Sequence, residues 1–428
     1  MAAPVLKLDA AGALLAAWPA PAGEAAWARA ARGRAEAWLR ERGAPGRRDE
    51  YWKYTDPTSL TVEPAPQAAL LAVEDVPVFQ SRDTHRLVFV DGVYSPEAST
   101  PLEIAGVEIT PLRTALGADI HWTREVFGQL EAAGQVPVER PLAALNTARA
   151  VEGFAIRVTG QASRPIHFVY RRKDAGAEAL VHNVIRLDAG ADLTLLESAA
   201  GAARLNAVLE VEIGDGAAFH HVRTQGRDHE RCAVTGLFAR LGTESRLKSF
   251  TLTVNGRLTR NEAFVEMRGD NASAHVAGAC VGDGDFHHDD TVFITHAAVG
   301  CESRQVFKKV LRHGAVGVFQ GKILVKPGAQ QTDGYQISQS LLLDETSQFL
   351  VKPELEIYAD DVKCSHGSTS GAVDETSLFY LTSRGIPRKT AEELLVLAFL
   401  DEAIAEVEDA GLADELRERL AAWLARRR

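Results

Sequence analysis

The chain has 428 residues, 46% hydrophobic and 25% charged, with 47 Lys and Arg against 58 Asp and Glu, for a net charge of −11. That length exceeds one small core and calls for two or three packing units. The acidic balance argues against a nucleic-acid partner, and no stretch approaches the roughly 18 uninterrupted apolar residues of a membrane helix.

Residues 1–153 read as a mostly helical region rich in Ala, Arg and Pro. The N-terminus has no basic segment before its mild apolar run, which Asp9 interrupts, so it does not read as a signal peptide. Trp27, Ala30, Ala31, Ala35 and Leu39 recur at helical spacing, and Gly43 can end that helix. A short strand, "HRLVFVDGVY", follows, then helical patches at "WTREVFGQLEAAGQ" and "PLAALNTARAVEG".

Residues 154–365 form a different zone, a succession of short period-2 runs such as "IHFVYRR" and "VLEVEIGDGAAFHHVRT", punctuated by Gly, Asp and Asn. Similar turns return at Gly190, Gly216, Gly242, Gly269, Gly300, Gly314 and Gly328. A near-regular return of one turn, with strands between, is what stacked coils produce, so a parallel β-helix fits best. The competing architecture is a β-sandwich with evenly spaced hairpins. A β-helix has open ends, and the flanking helical zones are the expected caps.

Residues 366–428 read as a C-terminal helical domain. "GIPRKTAEELLVLAFLDEAIAEVEDAG" has Pro387 near its start and Gly411 past its expected end. "LADELRERLAAWLARRR" is a second helix, with arginines where the helix dipole favours them. The first of these helices is apolar on more than one side, with Leu394, Leu397, Phe399, Leu400 and Ile404 among its residues. One stripe suffices for a surface helix. The second side packs either on the final helix or on another chain.

Cys364 and His366 lie two apart and share one face of a strand. Thiolate and imidazole suit a borderline metal such as zinc or iron, but two donors are half a site. The plainer alternative is a polar strand end with a half-buried cysteine. Asp360 and Asp361 are adjacent and would face opposite sides. His288, Asp290 and His296 share a face, yet the two histidines are too far apart along a strand to hold one ion. A local His288/Asp290 pair stays open, but solvated or ladder-forming polar residues describe them better. The four cysteines, Cys232, Cys280, Cys301 and Cys364, form no CxxC pair and no disulfide framework, which fits reduced thiols in a cytoplasm. There is no GxxxxGK[ST], GxSxG or HExxH motif, so no catalytic or nucleotide-binding residues are expected and the chain reads as a scaffold or binding protein, not an enzyme.

"YADDVKCSHGSTSG…DETSLFYLTSRGI" resembles a signature of the SufB/SufD family of the SUF iron–sulfur cluster assembly machinery. "PGRRDEYWKYTD" is similar to the family's N-terminal motif at Pro45, Arg47, Glu50, Trp52, Lys53, Tyr54 and Thr55. "LAALNTA", "CESRQVFKKVL", "GVFQGKILV", "QTDGYQIS" and "KPELEIYADDV" match as well, so the resemblance covers essentially the whole chain. Ser338 stands where SufB-like chains carry a cysteine, and Gly367 where they carry a glutamate after the histidine, which points to the SufD branch.

The resemblance implies a right-handed parallel β-helix between helical regions. It implies a non-catalytic scaffold subunit of the SufBCD complex, pairing with SufB through the β-helix and assisting iron entry. It implies binding of the ABC ATPase SufC by the C-terminal helices, for which Leu394, Leu397, Phe399, Leu400 and Ile404 are the candidates. His366, and secondarily Cys364, would face transient iron or a nascent cluster at the SufB–SufD interface, with no cofactor held stably by this chain alone. The alternatives are a homodimeric SufB-like scaffold and a β-helix polysaccharide-active enzyme.

Overall fold

The computed structural model describes residues 5–426 apart from 63, 65, 71–77, 199–200 and 227. The period-2 segments become β1 (His85–Val90), β2 (Val93–Tyr94), β3 (Val107–Pro111), β4 (Phe154–Val158), β5 (Ile166–Arg171), β6 (Glu178–Leu187), β7 (Asp192–Ser198), β8 (Arg204–Ile213), β9 (Ala218–Gly226), β10 (Cys232–Leu241), β11 (Arg246–Val254), β12 (Leu258–Met267), β13 (Ser273–Asp283), β14 (His287–His296), β15 (Glu302–Arg312), β16 (Val316–Val325), β17 (Thr332–Leu342), β18 (Gln348–Ile357) and β19 (Val362–Gly371).

From β4 on, each strand pairs with the next but one. The odd-numbered strands from β5 to β19 continue through β1 to β2 as one sheet, and the even-numbered strands from β18 to β4 end on β3 as the other. The pairings β1–β2 and β3–β4 are antiparallel, whereas those along the coils, such as β11–β13 and β12–β14, are parallel. The result is a parallel β-solenoid of about seven turns, the expected β-helix. A sandwich would need antiparallel hairpins between successive long strands, and the chain has none among the described residues. Inward side chains of the two sheets, including Leu193, Phe219 and Leu247 opposite Leu209, Val265 and Ile294, fill the lumen.

The turns stack in columns. In one column the backbone N–H of Gly190, Gly216, Glu244, Asn271, Gly300 and Gln331 each donates to a carbonyl of the following coil. All six residues have positive φ. Glycine adopts that conformation without strain, but Glu244, Asn271 and Gln331 adopt it here too. Glycine spacing alone therefore misses half the column. Gly314 belongs to the opposite turn of its coil, between β15 and β16, which is why it breaks the near-regular interval.

The helices are not caps on the solenoid ends. The N-terminal helices α1 (Val5–Ala17), α2 (Ala26–Arg42), α3 (Thr58–Thr61), α4 (Leu112–Gly117), α5 (Leu130–Ala133) and α6 (Pro141–Arg149) gather on the outer face of the even sheet. There Leu39, Leu142 and Leu145 meet Val234 and Leu258, and Phe127 and Leu130 meet Phe238 and Phe264. After α7 (Glu375–Thr382), helices α8 (Arg388–Ile404) and α9 (Ala410–Arg426) cover the outer face of the odd sheet. Val396, Leu400, Ala403 and Leu416 pack there against Phe250, Leu252, Ala279 and Val306. Each fully buried leucine contributes about 2 kcal/mol. The reason lies in the strands. The middle strands are apolar on both faces and need outside cover, whereas β19 reads VKCSHGSTSG and needs none.

Local departures have local causes. "HRLVFVDGVY" is the β1–β2 hairpin, turned by Asp91 and Gly92, both at positive φ. β1 pairs with β5, and β19 extends to Gly371, so the sheets reach outside residues 154–365 on both sides. The patch at Trp122–Gln135 yields a 3-10 turn and the four-residue α5, with Gly128 at positive φ between them. The long C-terminal helix breaks after Ile404, and the Asp409 carboxylate accepts the Leu412 N–H at 2.9 Å as a new N-cap. Gly411 thus lies in the first turn of α9 rather than past a helix end. The terminal Arg427 and Arg428 lie outside the described residues.

Candidate functional site at the terminal coil

The last coil consists of β18 and β19, stacked on β16 and β17. β18 and β19 are edge strands, hydrogen-bonded only to β16 and β17 respectively. Every residue of both is partly or largely exposed, unlike the almost wholly buried β12 and β14. Unpaired backbone along such an edge is a template for another chain.

Cys364 and His366 lie on this edge. Cys364 stacks over Gly334, whose missing side chain leaves room for the sulfur: a Cβ there would come within 3.2 Å of Sγ. The thiol packs with Val362, Leu355 and Ile323 at the end of the lumen, and burial pushes its pKa up. His366, two residues on, shares that face by strand alternation and is exposed. It stands over Gln336, which is fully buried and whose amide finds no hydrogen-bond partner among the described residues. The next rung pairs Ser368 with Ser338, their hydroxyls 2.8 Å apart. No cluster of three or more His, Cys, Asp or Glu able to hold a metal occurs among the described residues. Asp360 and Asp361 are in the turn before β19, not on a strand, where the Asp361 carbonyl accepts the Gln331 N–H.

His288 and Asp290 are ladder residues, but buried ones. The Lys309 ammonium lies 2.6 Å from Asp290 and 2.7 Å from His288 Nδ1. Burial, with Lys309 close by, holds the His288 imidazole well below its usual pKa. From Asp290 a hydrogen-bonded chain runs through the lumen by Asn261, Thr235 and Arg223 to Glu197, with links of 3.3, 2.8, 2.9 and 2.7 Å. His221 and Tyr170 complete the shell of Glu197 at 2.8 and 3.1 Å. His296 is separate, 2.9 Å from the Ser303 hydroxyl.

The five apolar candidates of α8 divide. Leu400 and Ile404 are fully buried against the odd sheet, Leu397 and Phe399 are partly buried there, and the Lys308 ammonium sits 4.6 Å from the Phe399 ring centre. Leu394 is 44% exposed. Sequence reasoning missed its neighbours in exposure on α7, Phe379 at 72% and Tyr380 at 56%. Only Leu378 of that short helix is buried, which leaves the two aromatics after it on the outside, the Tyr380 ring stacked with the Arg384 guanidinium at 3.4 Å.

Comparison with known proteins follows the same lines. A family model described as SUF system FeS cluster assembly, SufBD core domain, matches residues 170–399. The iron–sulfur cluster assembly protein SufD of Escherichia coli is 27% identical over 393 residues, covering 88% of this chain and 89% of that one. A SufBD family protein of Synechocystis is 26% identical, covering 87% and 86%, and SufD of Bacillus subtilis is 26% identical, covering 85% and 86%.

Proposed function

The chain belongs to the SufBD family and so to the SUF system of iron–sulfur cluster assembly, and on that premise we propose that it is a non-catalytic, cytoplasmic scaffold subunit that docks a SufB-type partner on its terminal coil. The observation carrying this reading is that an open, full-length edge of the last coil, β19, also holds Cys364 and His366. Two donors cannot enclose iron or a nascent cluster, and the facing subunit would supply the remaining ligands. Iron is the cargo here. The His366 imidazole is exposed to it, whereas Cys364, its thiol pKa raised by burial, needs an incoming cation to become a thiolate. A SufC-type ATPase would dock on Phe379, Tyr380 and Leu394, the exposed apolar residues of α7 and α8.

Co-expression with SufB and SufC tests the reading. The three chains are expected to co-elute, and His366→Ala to leave co-elution intact while lowering bound iron several-fold. Absence of a complex would overturn the docking assignment. Unchanged iron would remove His366 from the ligand set.

A further inference from the structure

The N-terminal motif around Glu50–Thr55 has no part in that reading, yet it touches four successive strands of the even sheet. The Trp52 ring lies 4.1 Å from the Arg260 guanidinium of β12. The Thr55 hydroxyl donates to Asp289 of β14 at 2.6 Å, and the Tyr51 ring meets Phe293 of β14 edge-on at 5.1 Å. The Tyr51 carbonyl accepts from Arg260 at 2.9 Å and from Gln320 of β16 at 3.1 Å. The last contacts fall on β18. The Tyr51 hydroxyl donates to Glu354 at 2.5 Å, and the Lys352 ammonium donates to Glu50 at 2.6 Å and sits 3.9 Å above the Tyr51 ring.

We propose that this segment is a clasp that holds the terminal coil in place, with Tyr51 and Lys352 as its positioning residues. β18 has a strand neighbour on one side only, so it opens at a lower free energy than the strands inside the stack. The contacts at Glu50 and Tyr51 are charge-assisted, the strong class of hydrogen bond. They grip Lys352 and Glu354 on the outer face of β18, while Leu355, the next residue along, faces inward and packs with Val362 and Cys364 of β19 on the Ile323 cluster. Releasing the outer face therefore loosens the cover of Cys364. Its bearing on partner docking rests on the function proposed above, but the clasp itself is a property of the chain alone.

Cys364 is a built-in reporter, half-buried where Cys232, Cys280 and Cys301 are buried. The isolated full chain is treated with a thiol-labelling reagent under native conditions, and each cysteine is followed by mass spectrometry. Tyr51→Phe and Lys352→Met are each expected to label Cys364 roughly tenfold faster, equivalent to about 1.4 kcal/mol. The other three thiols should stay protected and the urea midpoint nearly constant. Glu354→Gln, which keeps an acceptor for the Tyr51 hydroxyl, should retain slow labelling, while Glu354→Leu should not. An unchanged Cys364 rate overturns the clasp. So does a rise shared by all four thiols, which would mean general destabilisation.

Discussion

Inside the lumen, Lys309, Asp290, Arg223 and Glu197 are charged groups without solvent, and they persist because each is paired and hydrogen-bonded. Imidazoles face a different constraint. Burial pushes His167 and His296 down to about 4, against about 6.5 in an unfolded chain. Between those values the unfolded state binds more protons, so their contribution is complete above pH 6.5 and drains away as pH falls toward 4. At pH 5 each histidine accounts for a loss of about 2 kcal/mol. Urea titrations at pH 7.5 and pH 5 should show that loss, and His167→Asn should reduce it. A midpoint independent of pH would contradict the assignment. Cys364 and His366 were legible as a same-face pair, and His288 and Asp290 as ladder residues. Glu197, Arg223 and Lys309 were not, because a charged residue in a period-2 run reads as the solvent face. Here the lumen and the helix-covered outer face are both dry, so alternation no longer separates inside from outside.

The helices show how an element can be legible while its destination is not. The excess apolar surface of α8 stood out in the sequence, but the residues answering it lie on β11, β13 and β15, far away in the chain. Leu400 and Ile404 go to that sheet, and the outward-facing surface is left to Leu394 with Phe379 and Tyr380. A double substitution, Phe379→Ser with Tyr380→Ser, is expected to change folding stability by no more than about 0.5 kcal/mol per site. It should weaken SufC binding at least tenfold in a titration. Leu400→Ala should do the reverse in order of cause, destabilising by about 2–5 kcal/mol through a cavity under α8. Full SufC affinity in the aromatic double variant would move the docking surface elsewhere.

At the scale of the molecule, stability is a sum over stacked coils, each contacting only its neighbours. Coils with helices on an outer face bury far more than the last one. Hydrogen–deuterium exchange should therefore be slowest in β10 to β14 and fastest in β18 and β19. Uniform protection along the solenoid would refute that gradient. The periodic turns made the coiled architecture readable from sequence. The side-on placement of the helices was not readable, since it depends on which sheet faces are dry and which edges are polar.

The two ends of the solenoid differ in kind. One finishes in the two-residue β2 and the antiparallel β3, and the other in the full-length parallel edges of β18 and β19. Short antiparallel strands blunt an edge. A rod with one receptive end has a valence of one. On the docking proposed above, it forms a closed pair with a second rod and offers no second full-length edge on which to propagate, so end-to-end association stops at two.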